Sequence, residues 1–172
     1  AEAHRGTLAV GGRTVAVLGS GVDDASLYPR AHRSLAAEIV ARGGAVVSEF
    51  PPGTGARPEH FPQRNRVIAG MSHAVVVIEA SETSGALITA RLALEENREV
   101  LAVPGPITSP LSVGTHRLLK EGAALATSAE DVLEALALHD VLALPRAAET
   151  ARTTPGAVHP AEIPMPSADR IL

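Results

Sequence analysis

Four short aliphatic runs, at 14–18, 45–48, 73–78 and 99–103, alternate along this chain with stretches of helical apolar spacing. That alternation narrows the fold more than any other feature. The runs are continuously apolar, as in Ala74-Val75-Val76-Val77-Ile78, and do not switch between apolar and polar at every residue. Strands of that kind need cover on both faces. Helices placed between them supply the cover, so the order β-α-β-α-β-α-β-α implies an α/β fold, a parallel sheet with helices on both faces. After a helical piece over 1–9, helices are expected at 31–42, 61–71, 84–97, 114–121 and 128–137. Local punctuation agrees. Gly43-Gly44 closes the first of the later helices. Pro62 falls in the first turn of the next, where a missing N–H costs nothing. Ser128 followed by Asp131 has the spacing of a capping box.

The periodicity fails from about Asp140, and Pro145, Pro155, Pro160, Pro164 and Pro166 follow. The reading is one domain over 1–138 and a proline-rich linker over 139–172. With two Phe, one Tyr and no Trp, the core has to be aliphatic. The absence of cysteine removes disulfides and thiolate metal sites. The seven histidines show no metal-ligand spacing, and neither a metal nor a cofactor is expected. No apolar run approaches the ~20 residues of a membrane span and no leader opens the chain, so a cytoplasmic protein is the expectation. The net charge of −4 argues against a nucleic-acid partner. The acidic excess lies in the second half, however, and charges separated by more than a Debye length of ~8 Å are screened. A local basic site is compatible with the total.

Two stretches carry the chemistry. His60-Phe61-Pro62-Gln63-Arg64-Asn65-Arg66 places an aromatic ring, two cations and an amide at a helix start. Arginine is disfavoured there by the macrodipole, so a nearby anion is implied. Phe61 fits either a base-stacking role or the core, and Arg66 fits either a phosphate or an acidic side chain. Ser84-Gly85, with Thr89 one turn on, follows an apolar strand and opens a helix. This is either a plain helix N-terminus or a phosphate site, where the glycine lets a phosphate approach the free N–H groups of the first turn. Gly19-Ser20-Gly21 is either a tight turn or a backbone nest for phosphate. It lacks the G-x-G-x-x-G spacing of a dinucleotide site, since Asp24 holds the last position. No phosphate-binding P-loop and no G-x-S-x-G elbow occurs. Glu49 and Glu79, at strand ends, read as acid/base groups or as partners of arginines and helix N-termini.

Taken in order, these residues resemble the DNA-processing protein A (DprA/Smf) family. The matching pieces are Thr14-Val15-Ala16-Val17-Leu18-Gly19-Ser20-Gly21-Val22-Asp23, Tyr28-Pro29, Ser48-Glu49 and the segment from Phe61 to Gly70. Further on come Val77-Ile78-Glu79-Ala80, the segment from Ser84 to Ala90, Val103-Pro104-Gly105, and Gly114 with Leu118 and Gly122-Ala123. The resemblance implies a Rossmann-like, non-enzymatic protein that binds single-stranded DNA, dimerises and helps load RecA in natural transformation. Carried over residue by residue, it places DNA contact at Phe61, Arg64, Asn65 and Arg66, and phosphate binding at Gly19, Ser84, Gly85 and Thr89. The family's domain opens with an earlier βαβ portion and often ends in a small additional domain. The resemblance implies, as an expectation, an internal fragment that is incomplete at its N-terminus and leads to an absent C-terminal domain. His116 stands where the family usually has Asn.

Two rival readings use the same fold. A nucleotide-5′-monophosphate phosphoribohydrolase needs P-G-G-x-G-T-x-x-E, and three residues past Thr89 stands Leu92 where the acid belongs. A small-nucleotide sensor would use the same pocket without a long groove.

Overall fold

The computed structural model describes residues 1–137. The expected linker over 139–172 lies outside the described residues. The elements follow in the order α1 (Glu2–Ala9), β1 (Val15–Val17), α2 (Arg33–Ala41), β2 (Ala45–Val47), α3 (His60–Met71), β3 (Ala74–Val77), α4 (Gly85–Glu95), β4 (Glu99–Ala102), α5 (Val113–Lys120), β5 (Ala124–Leu125) and α6 (Ala129–Ala135), with single 3₁₀ turns before α2 and α5. The α/β alternation is as expected, and every strand pair is parallel. The two-residue β5 is an addition that apolar runs do not reveal.

The pairing departs from one continuous sheet. β1 and β2 form one ladder, from Val15↔Ala45 to Val17↔Val47. A second sheet has the order β3-β4-β5, with Ala74↔Glu99 to Val77↔Ala102 and Leu101↔Ala124 as its registers. The far edge of β1 shows where the ladder stops. The Thr14 carbonyl and the Leu18 N–H bond to the β2 side. The Val17 carbonyl therefore faces the other edge, because bonding direction alternates along a strand. It accepts a side-chain bond from Arg64 of α3 instead of a backbone N–H.

Each sheet has its own core. Leu8, Leu35 and Ile39 pack with Ala16 and Val46 around β1 and β2. Ala69, Val77, Ala80, Ala90, Ala93, Val100, Ala102 and Leu118 form the larger cluster. Ala69, Ala90 and Ala93 are fully buried, so α3 and α4 meet through alanines. This is the aliphatic core that the scarcity of aromatics demands. Gly43, at φ +76°, ends the strip after α2 in the left-handed region that glycine adopts without strain.

Candidate nucleic-acid interface

In a parallel α/β arrangement the helices begin where the strands end, so the C-terminal rim collects the starts of the helices. The turn 19–21 lies at the end of β1, Ser48-Glu49-Phe50 follows β2, and α3 begins after the loop that Phe50 opens. Side chains lock these pieces together. The Ser48 hydroxyl donates to the Ser20 carbonyl at 2.7 Å and accepts from the Phe50 N–H at 3.0 Å. The Gly21 N–H donates to the Thr54 carbonyl at 2.8 Å. Asp23 accepts from the Gly53 N–H at 2.8 Å, which, with Ser26, holds its carboxyl below the ordinary carboxylate range. His60, first residue of α3, donates through Nδ1 to the Gly19 carbonyl at 3.2 Å. Its ring stacks on Phe50, with centroids 4.2 Å apart.

Phe61 follows. A Cβ built on Gly19 would sit 3.3 Å from the Phe61 ring, so the glycine makes room for the aromatic. Tyr28 tilts against the same ring at 6.2 Å, and the Arg64 guanidinium carbon is 5.8 Å from its centroid, within cation–π range. All three aromatic residues of the chain, Tyr28, Phe50 and Phe61, therefore stand at this one rim. Tyr28 enters the family resemblance only beside Pro29 and Phe50 not at all, and neither is assigned there to the site. Their scarcity in the chain was the available signal.

The two arginines differ. Arg64 is half-buried, donates Nε to the Asn65 side chain at 3.0 Å and Nη1 to the Val17 carbonyl, and burial lowers its pKa from the ordinary arginine value. Asn65 is buried beside it. Arg66 is exposed, and its Nη2 donates to both oxygens of Glu49 at 2.6 and 2.7 Å. The anion implied for Arg66 by the helix start is thus supplied in part by the protein. Gly19 and Ser20 are buried under this cluster, with the Ser20 hydroxyl turned to the Gly21 carbonyl.

At the start of α4, Ser84 caps the helix by accepting from the Ala86 N–H at 3.3 Å. Thr89 donates to the Gly85 carbonyl at 3.4 Å. A Cβ at Gly85 would meet nothing within 4 Å, so the space above this helix start is open. A cleft of about 270 Å³ beside it is lined by Ser84, Ile88, Arg91 and Arg117, with Glu82 and Glu121. Each helix start follows a strand of a different sheet, and no hydrogen bond among the described residues joins the 61–66 group to Ser84, Gly85 or Thr89. Leu92 packs against the larger core. Among the described residues no group of three or more His, Asp or Glu is placed to hold a metal ion.

Known proteins are similar to this chain in sequence and in fold. The family model "DNA recombination-mediator protein A" matches residues 1–137. The chain is 50% identical over 134 residues to "Protein Smf" of Escherichia coli, covering 78% of this chain and 35% of that protein. It is 47% identical over 131 residues to "DNA processing protein DprA" of Streptococcus pneumoniae, covering 76% of this chain and 45% of that protein. It thus spans less than half the length of these relatives. The crystal structure of the Streptococcus pneumoniae protein superposes with a TM-score of 0.69 at 46% identity, over 77% of this chain and 46% of that one. A structure from Helicobacter pylori, described as giving insight into "the unique single-stranded DNA binding mode" of DNA processing protein A there, shares the fold at a TM-score of 0.61 and 24% identity, over 72% of this chain and 55% of that one. With a parallel, Rossmann-like α/β architecture and a family match over every described residue, the chain belongs to the DNA recombination-mediator protein A family.

Proposed function

We propose that this chain binds single-stranded DNA at the rim formed by Phe61, Arg64, Asn65 and Arg66, with Ser84, Gly85 and Thr89 offering a neighbouring phosphate position and Gly19 seating the ring. The observation that carries the reading is the gathering of every aromatic residue of the chain beside two arginines on one rim. Single-strand binders combine a cationic track with rings on which bases stack, and that combination tolerates any sequence. Net charge is no obstacle to such a local site. The Helicobacter pylori protein, alike in fold, is described as a single-stranded DNA binder, which supports the analogy. The family resemblance extends the proposal to a cytoplasmic homodimer that loads RecA onto the strand, without catalysis. Among the described residues no helix is long and apolar enough to cross a membrane. Leu92, in place of an acid, supports the non-catalytic part.

Fluorescence anisotropy with a labelled oligo-dT at several salt concentrations tests the site. Arg66→Ala is expected to weaken binding and to flatten the plot of log affinity against log salt by about 0.7, the single-strand value for one lost phosphate contact. Phe61→Ala is expected to cost about 1–3 kcal/mol with an unchanged slope, because stacking is uncharged. Circular dichroism checks that each variant is folded. Unchanged affinity in a folded Arg64→Ala, Arg66→Ala double variant removes the site. Equal affinity for a mononucleotide and a long oligonucleotide favours a small-nucleotide sensor instead. Release of free base from nucleoside monophosphates, lost on Glu79→Ala, overturns the non-catalytic reading.

A further inference from the structure

The free protein already holds a carboxylate against the more exposed arginine of the rim. Glu49 lies two residues past the end of β2, between two anchored neighbours. Ser48 is tied to the Ser20 carbonyl at 2.7 Å, and the Phe50 ring is stacked on His60 at 4.2 Å. The position of Glu49 is therefore set by the backbone of a short, braced segment. Arg66 reaches it on a long, unbraced side chain from α3. The contact uses one guanidinium nitrogen, Nη2, which donates to both carboxylate oxygens at 2.6 and 2.7 Å. Nε and Nη1 make no hydrogen bond to other described residues. The side chains of Arg66 and Glu49 are 62% and 49% exposed. A pair so open to water is weakly held and readily exchanged. A phosphate satisfies the same planar fork of donors as a carboxylate does.

We propose that Glu49 is a built-in competitor for Arg66: a carboxylate fixed at the rim that occupies the guanidinium in the free protein and yields it to a nucleic-acid phosphate, so that it sets the affinity of the site. The proposal rests on the single-stranded DNA reading above. It assigns Glu49 a tuning role that is neither acid/base nor merely structural. When a phosphate takes Arg66, the pair with Glu49 is broken, and breaking so exposed a pair corresponds to about a threefold loss of affinity.

The experiment is a double-mutant cycle on the full 172-residue chain, read by anisotropy with a labelled oligo-dT. Glu49→Gln keeps the shape and removes the charge. It is expected to bind about threefold more tightly than the unaltered chain, because Arg66 no longer has to leave a carboxylate, with a salt slope steeper by no more than about 0.7. In an Arg66→Ala background the same change is expected to give most of that gain no longer. A weaker Glu49→Gln variant would mean that Glu49 positions Arg66 for the strand, and would overturn the proposal. An undiminished gain in the Arg66→Ala background would mean a general charge effect, and would overturn it too. Either result leaves DNA binding by the unaltered chain standing. Absence of oligo-dT binding by the unaltered chain removes the proposed function and this inference together.

Discussion

Glycines at the rim separate residues that serve the fold from residues left free for a ligand. A Cβ on Gly114 would come within 2.7 Å of the Ala80 Cβ, 2.8 Å of its carbonyl oxygen and 2.9 Å of the Ser81 carbonyl oxygen. The Gly114 N–H donates to that Ala80 carbonyl at 2.8 Å, and Ala80 in turn donates to Leu111 at 2.7 Å. Backbone cannot yield there as the tip of a flexible side chain would. Gly114→Ala is expected to destabilise the fold by about 1–3 kcal/mol, the usual cost of overpacking, measured as a lower urea midpoint. Gly85 is the opposite case, with nothing within 4 Å of a built Cβ. Gly85→Ala should leave the unfolding free energy from urea titration within about 0.5 kcal/mol of its starting value, as a surface substitution does. Any loss of oligo-dT affinity in that variant then reports a strand close to the start of α4. His116 is also placed by the fold, donating from Nε2 to the Gly105 carbonyl at 2.9 Å. A side-chain N–H of Asn is the same kind of donor.

Elements were legible where one segment carries the signal. Ser128 and Asp131 do form a capping box on α6, and Pro62 lies in the first turn of α3, as spacing alone implied. β5 escaped because two residues have no period, and the split between the sheets escaped because pairing depends on distant partners. The site was legible in the same proportion. Phe61, Arg64 and Arg66 sit in one sequence run, whereas Tyr28 and Phe50 join them only through the folded rim. Two aspartates hold element ends in place and give the pH dependence a sign. Asp131 is held below the usual carboxylate value chiefly by the Thr127 N–H, and Asp23 chiefly by the Gly53 N–H. A carboxyl whose pKa falls on folding stabilises the folded chain above its ordinary value of 3.8, and that contribution disappears as the pH drops through the lower folded value. At neutral pH both contacts are therefore intact, and below about pH 4 they weaken. Amide exchange at Thr127 and Gly53 is expected to lose protection on acidification before the β4 amides do. Asp131→Ala should remove the Thr127 effect and leave that at Gly53.

At the scale of the whole molecule, α3 is the member that joins two separately cored sheets. One side packs through Ala69 toward Ala90 and Ala93 of α4. Its N-terminal half reaches the other sheet through three polar links: His60 to the Gly19 carbonyl, Arg64 to the Val17 carbonyl and Arg66 to Glu49. The first two involve half-buried groups, and the third is exposed. The Arg64 link has the most to lose, because removal strands a strand-edge carbonyl and the Asn65 side chain together. A hydrogen bond from a charged donor contributes about 1.5–3 kcal/mol. Arg64→Ala should therefore raise amide exchange in β1 and β2 by roughly 10- to 100-fold, the equivalent of that loss, while β3 and β4 keep their protection. Lysine should not restore it, since a single ammonium cannot reproduce a planar fork that serves Val17 and Asn65 at once. Equal acceleration in both sheets would mean that the chain opens as one cooperative unit and that α3 is not the joint. The consequence for binding follows from position. Phe61 and Arg66 flank Arg64 on the same helical turns, so loosening the joint moves both the stacking ring and the phosphate contact away from Gly19 and Glu49. Loss of affinity in Arg64→Ala should then exceed the loss of one phosphate contact, with a salt slope that changes by no more than the single-charge value.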